Sequence, residues 1–186
     1  MTAAPTGFTA HEIVWSPDRP RDGTGFVVSE DRSLLVSRDG GASWEPAFHA
    51  VPGAKSLPVT AIAISPGLVQ DGLVLAGIPG GVGRSRDRGM RWDFAPLPGH
   101  LPLVTCLLVV AGEAGPLLLA GTLEDGVARS VDGGETWAFW NGGLFDHQVT
   151  ALNRDDERGI VTAETPSGVY ASTNGGRSWH PHPEGS

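Results

Sequence analysis

Three aspartates and one asparagine recur in the same local setting. Asp39 lies in Ser37-Arg-Asp-Gly-Gly-Ala-Ser-Trp44 and Asp87 in Ser85-Arg-Asp-Arg-Gly-Met-Arg-Trp92. Asp132 lies in Ser130-Val-Asp-Gly-Gly-Glu-Thr-Trp137 and Asn174 in Ser172-Thr-Asn-Gly-Gly-Arg-Ser-Trp179. A carboxylate can act as a general base, a nucleophile or a ligand for a hard cation. Beside a glycine pair it can instead accept backbone N–H groups across a tight turn. Repetition favours the turn, because a single active site does not need the same acid in every unit. Asn174 agrees, since an amide keeps the acceptor and drops the charge. Asp39, Asp87, Asp132 and Asn174 are therefore expected to be structural, together with Ser37, Ser85, Ser130 and Ser172. Gly41, Gly89, Gly134 and Gly176 supply positive φ. Trp44, Trp92, Trp137 and Trp179 act as apolar plugs between strands or units. In the second unit Arg88 replaces the first glycine, so that turn is expected to differ.

The four boxes recur roughly every 45 residues, the length of a four-stranded propeller blade. Other parts of each unit repeat as well. An opening strand reads Val59-Thr-Ala-Ile62, Val104-Thr-Cys-Leu107 and Val149-Thr-Ala-Leu152, with a divergent Ala10-His-Glu-Ile13 in the first unit. Ser16-Pro17 with Asp22-Gly23, and Ser65-Pro66 with Asp71-Gly72, are turn signals. A second apolar strand follows, and a third runs into the box, whose Trp opens a short fourth strand. No helical periodicity of useful length is present. The expected fold is all-β: a propeller of four four-stranded antiparallel blades, with the box turn between third and fourth strands. One domain is expected over 8–183, with blades near 8–50, 57–98, 102–142 and 147–183, and tails at 1–7 and 184–186.

The Ser-x-Asp-x-Gly-x-x-Trp pattern resembles the Asp-box (BNR) repeat family, over about residues 8–183. That family includes sialidases, sortilin-like receptors, xyloglucan-degrading propellers and photosystem II assembly propellers. The resemblance is specific for fold and says little about function. It implies that the boxes sit on outer-rim turns, opposite the usual ligand face. It also makes sialidase chemistry the sharpest enzymatic reading, which would require clustered arginines, a Tyr–Glu nucleophile pair and an Asp acid/base. The one tyrosine, Tyr170, precedes the fourth box on an outer strand, and Arg84 and Arg129 are repeat-equivalent. No catalytic set is identifiable. No phosphate loop, metal spacing or Ser-His-Asp signature occurs, so no metal or cofactor is expected.

In a propeller, the loops joining second to third strands and those joining one blade to the next share one face. The first group carries Glu30, Asp31, Glu124, Asp125 and Glu164. The second carries His49, His100, Asp146 and His147, with Phe145 beside them and Trp140 at a strand end. These residues form the candidate binding face, expected to suit a basic segment or a cation. Trp140 has no aromatic counterpart at Ala47, Ala95 or His182, so it reads as an exposed anchor or a gap filler.

The chain's 13 Lys and Arg against 21 Asp and Glu give a net charge of −8, which argues against nucleic acid and against an anionic membrane. The single cysteine, Cys106, allows no internal disulfide and is expected to be buried. Residues 1–8 show no basic or apolar leader region, and no apolar run approaches a membrane span, so a cytoplasmic protein is expected. The expected function is a non-enzymatic module binding a protein partner or assisting assembly. A carbohydrate-active or carbohydrate-binding propeller is the alternative. Four blades leave three arrangements: a closed ring, preferred here; a homodimer joined through end blades; and an arc completed by another protein.

Overall fold

A computed structural model describes residues 13–29, 33–47, 58–112 and 115–182. Its strands are short, and the second and third of each sheet are the most deeply buried. β6 (Val74–Ile78) is buried at every position, and β9 (Val104–Val110) is a β-branched, apolar run. Such runs suit sheets covered on both faces.

The strands form four antiparallel sheets of four, each in chain order. Sheet one comprises β1 (Val14–Trp15), β2 (Gly25–Val28), β3 (Leu34–Ser37) and β4 (Glu45–Pro46). Sheet two comprises β5 (Ala61–Ile64), β6, β7 (Gly81–Ser85) and β8 (Asp93–Pro96). Sheet three comprises β9, β10 (Leu117–Thr122), β11 (Val127–Ser130) and β12 (Ala138–Phe139). Sheet four comprises β13 (Ala151–Asp155), β14 (Ile160–Thr165), β15 (Gly168–Ser172) and β16 (His180–Pro181). Consecutive sheets pack mainly through their first and second strands, which places β1, β5, β9 and β13 on the inside.

Three hydrophobic clusters make the three interfaces. Phe26, Leu34 and Val36 of sheet one meet Ile62, Val74 and Ala76 of sheet two. Leu75 and Val82 of sheet two meet Leu107, Leu118 and Ala128 of sheet three. Leu108 and Leu119 of sheet three meet Leu152, Val161 and Tyr170 of sheet four. Among the described residues no cluster joins sheet four to sheet one. The outward side of sheet four is open, with Thr150, Asn153 and Glu164 all exposed. The four sheets form an arc, and the expected closed ring is not seen.

Polar clips reinforce the interfaces. The Thr60 hydroxyl donates to the Val104 carbonyl of the next sheet at 2.6 Å, and Thr105 does the same to Val149. Arg84 donates to the Gly133 carbonyl and Arg129 to that of Gly175, each reaching the next sheet's box turn. A close backbone approach goes with these clips. A Cβ on Gly77 would lie 2.7 Å from Val104, and one on Gly121 would lie 2.7 Å from Val149.

The Ser-Pro segments differ from their expected form as plain turns. They form one-turn helices, α1 (Arg19–Asp22) and α2 (Leu68–Asp71). Each is fastened by a serine: Ser16 Oγ donates to Asp22 at 2.7 Å and Ser65 Oγ to Asp71 at 2.6 Å. Four residues are too few to leave a periodic signal.

Candidate functional site

The repeated carboxylates lie in the turns between third and fourth strands, at the end of the sheets that carries α1 and α2. Gly40 N–H donates to Gly23 O, and Arg88 N–H to Gly72 O. Each turn is wired alike. The box serine donates to the acid two residues on, at 2.8 Å for Ser37–Asp39, 2.9 Å for Ser85–Asp87 and 2.8 Å for Ser130–Asp132. The same serine oxygen accepts the N–H of the second turn glycine, at 2.8 Å in Gly41 and 2.9 Å in Gly134. The acid then accepts N–H groups from the far side of the turn, such as Ser43 to Asp39 and Arg91 to Asp87. Asn174 repeats this with its amide oxygen, accepting from Ser172, Arg177 and Ser178.

These bonds set the acidity. The Ser43 side chain, then its N–H, then Ser37 hold the Asp39 carboxyl well below the usual carboxylate range. Burial pushes Asp132 up, but hydrogen bonds from Thr136, Ser130 and Glu135 outweigh it and leave the carboxyl low. Burial likewise raises Asp87, and the Arg91, Ser85 and Met90 hydrogen bonds more than reverse it. Acids held this low keep no proton to donate near neutral pH and are weak bases. Each is also saturated with donors from its own turn.

The second turn keeps the common shape, against expectation. Arg88 takes φ 59°, beside φ 76° at Gly40 and 72° at Gly133. The turn hydrogen bonds impose this left-handed backbone on a residue with a Cβ, at a steric cost of roughly 1–2 kcal/mol.

The loops at the opposite end form the candidate face. Glu30, Asp31 and His49 lie outside the described residues. Glu124 is exposed and Asp125 half-buried in the turn after β10. Asn141 braces that turn: its amide donates to Asp125 O at 2.7 Å, and its oxygen accepts Val127 N–H at 2.9 Å. Gly126 N–H donates to His147 O, and Leu123 N–H to Leu103 O. Asp146 accepts from Gln148 N–H and from Ser167 N–H, at 3.0 Å each, and so ties the sheet three–four connection to the turn after β14. The Gln148 N–H is the main reason the Asp146 carboxyl lies below its ordinary value. His100 and His147 are exposed on the same connections.

Glu164 was expected in a loop and is instead in β14, paired with Ala151 and Val169. It faces the open side of sheet four and accepts from Asn153 Nδ2 at 2.9 Å. The second strand runs past the register at which the loop was placed, and this removes Glu164 from the candidate face.

Trp140 follows β12 and is partly exposed. Its carbonyl accepts the Trp179 indole N–H at 2.9 Å, and its ring, 41% exposed, lies beside the Arg129 guanidinium. Three apolar side chains stand out on the loops: Phe145 is 82% exposed, Leu101 69% and Leu103 38%. Leu101 and Leu103 do not show in the sequence as site residues. Their only signal is the lack of charge through Leu97-Pro-Gly-His-Leu-Pro-Leu103.

Among the described residues no group of three or more His, Cys, Asp or Glu side chains could hold a metal ion. Burial pushes the Cys106 thiol up to about 11, which leaves it protonated and unreactive at neutral pH.

An ancestral GH74 enzyme superposes with a TM-score of 0.73 at 21% identity, over 97% of this chain and 25% of that one. YCF48 bound to D1 peptide superposes with a TM-score of 0.66 at 20% identity, over 98% of this chain and 56% of that one. The chain has a β-propeller fold. Its sheets are blades, and they match part of longer proteins. In sequence, the chloroplastic photosystem II stability/assembly factor HCF136 of Arabidopsis thaliana is 25% identical over 179 residues, 90% of this chain and 40% of that protein. The photosystem II assembly lipoprotein Ycf48 of Synechococcus sp. (strain CC9902) is 30% identical over 113 residues, 61% of this chain and 32% of that protein. The chain spans less than half the length of either relative. No protein-family model matches it.

These relatives overturn the expected cytoplasmic location, since one is chloroplastic and the other a lipoprotein. The composition of a folded domain carries no cellular address, because leaders and lipid anchors are read outside it.

Proposed function

We propose that this chain is a non-enzymatic binding module of the Asp-box type. It holds an apolar, basic protein segment on the face built by the turn after β10 and the inter-blade connections. The carrying observation is the set of exposed apolar side chains, Leu101 and Leu103 on a loop held by Gly80 and Leu123 N–H groups and Phe145 on the connection tied down by Asp146. Exposed apolar groups on ordered backbone mark binding surfaces, because little entropy is lost when a partner covers them. Segments 97–103, 123–126 and 140–150 contain no Lys or Arg, while Glu124, Asp125 and Asp146 supply negative charge. A partner segment with basic residues complements that field. Support from relatives is consistent: two are photosystem II assembly proteins, and a YCF48 structure holds a peptide. The box acids are turn fasteners in this reading, in keeping with their saturated hydrogen bonds.

The test is selection of binders from a random peptide display library. Peptides pairing apolar with basic residues are expected to enrich on the protein and to be lost on a Leu101→Ser/Phe145→Ser/Glu124→Lys variant. Equal enrichment on both would end the proposal.

A further inference from the structure

We propose that blade four is a stop: its open face is built to refuse a fifth blade, including one offered by a second copy of this chain. The faces that look toward the next blade differ position by position. The sheet registers align Leu75 of blade two and Leu119 of blade three with Thr162 of blade four, and align Ala63 and Leu108 with Asn153. Gly77 and Gly121 align with Glu164 in the same way. Two apolar contacts thus become polar, and an uncharged position, Val28 in blade one and glycine in blades two and three, becomes a glutamate.

The charge in this column decides the matter, since blade one packs on blade two with the apolar Val28 there. A Cβ alone at Gly77 or Gly121 would press within 2.7 Å of the next blade's valine, closer than carbon atoms approach. Glu164 adds a full side chain and a charge there, hydrogen-bonded to Asn153 across the strands. Docking a blade of this repeat would bury that charge with no cation opposite it.

The arginine clip is missing as well: Ala171 occupies the position from which Arg84 and Arg129 reach the next turn, as Val36 does in blade one. Thr150 donates to Glu164 O of its own blade, as Thr60 does to Gly77 O. Thr162, Asn153 and Glu164 thus set this face apart from all three docked ones, as in the polar end repeats of solenoid proteins.

The test adds the missing blade. The chain is extended after His182 by a second copy of residues 141–182, which already docks on blade three. In the parental background the added copy is expected to stay undocked, trimmed rapidly by protease, with solvent-like emission from its tryptophan. In a Thr162→Leu/Asn153→Leu/Glu164→Gly background it is expected to dock, with trimming slowed at least tenfold and emission shifted to the blue. Equal protection in both backgrounds would overturn the proposal, as would equal lack of it. A second measurement needs no extension. Maleimide labelling of Thr162→Cys, in a Cys106→Ser background, is expected to keep the same rate as protein concentration rises a hundredfold. Slowing of that rate would show that a second copy covers the face.

Discussion

Two of the box indole N–H groups reach the preceding blade, while that of Trp137 donates to Gly134 O of its own turn. Trp92 donates to Ala47 O of the preceding blade at 2.9 Å, and Trp179 to Trp140 O at 2.9 Å. Trp44, in the first blade, has the same indole buried with no hydrogen-bond partner. Trp15 and Arg19 fill the side a preceding blade would take. Trp15 packs tilted on Trp44 with ring centroids 5.9 Å apart, and the Arg19 guanidinium lies 3.6 Å over the Trp15 ring. Arg19 also donates to Gly40 O, as Arg84 and Arg129 do to equivalent carbonyls from the preceding blade. The substitute cap restores one clip and leaves the indole N–H unmet. A net hydrogen bond is worth about 1 kcal/mol, and an unmet buried donor is itself costly. Replacing each half-buried ring with phenylalanine is therefore expected to cost about 1 kcal/mol less at Trp44 than at Trp92, in urea denaturation. Equal costs would mean the Trp44 N–H is satisfied in solution. The box tryptophans were legible as plugs from repetition alone. The cap role of Trp15 was not, because it has no counterpart in the other units.

At the level of the element, the box turn is a hydrogen-bonded unit that tolerates either charge state. In blade one the Ser43 hydroxyl donates to the Asp39 carboxylate, and in blade four the Asn174 amide donates to Ser178 Oγ instead. A rotating hydroxyl accommodates both. The carboxylates of Asp39, Asp87 and Asp132 all titrate below their ordinary value in the fold. A lowered folded value means their contribution is complete above the unfolded value, near pH 4, and is lost as pH falls below it. An Asp39→Asn/Asp132→Asn variant is expected to match the parent closely at pH 7. It should lose less stability between pH 4 and pH 2.5, as read from urea midpoints at each pH. Parallel acid profiles would place the acid sensitivity elsewhere. The box turns and strand order were readable because both repeat. Glu164 reads as a loop residue for the complementary reason: a charged side chain where the other units have Val28, Gly77 and Gly121 looks like the end of a strand. Leu101 and Leu103 escaped notice because isolated apolar residues in a connection leave no pattern.

For the whole molecule, connectivity and packing coincide. Among the described residues each blade packs on its sequence neighbours through one cluster per interface, and the arc's last face is exposed. Such a chain behaves approximately as a row of units coupled to their nearest neighbours. Stability lost at one interface should then stay there, whereas a closed ring would spread the loss to every blade. Leu119 is a suitable probe: it is fully buried in the interface between blades three and four. Leu119→Ala is expected to cost about 2–5 kcal/mol at that interface. Native-state hydrogen exchange should show the loss in β14 and β15, because blade four can open without its neighbours. Amides of β2 and β3, two interfaces away, should keep their protection. A uniform drop across all four blades would show that the arc unfolds as one unit, coupled through contacts beyond the three clusters.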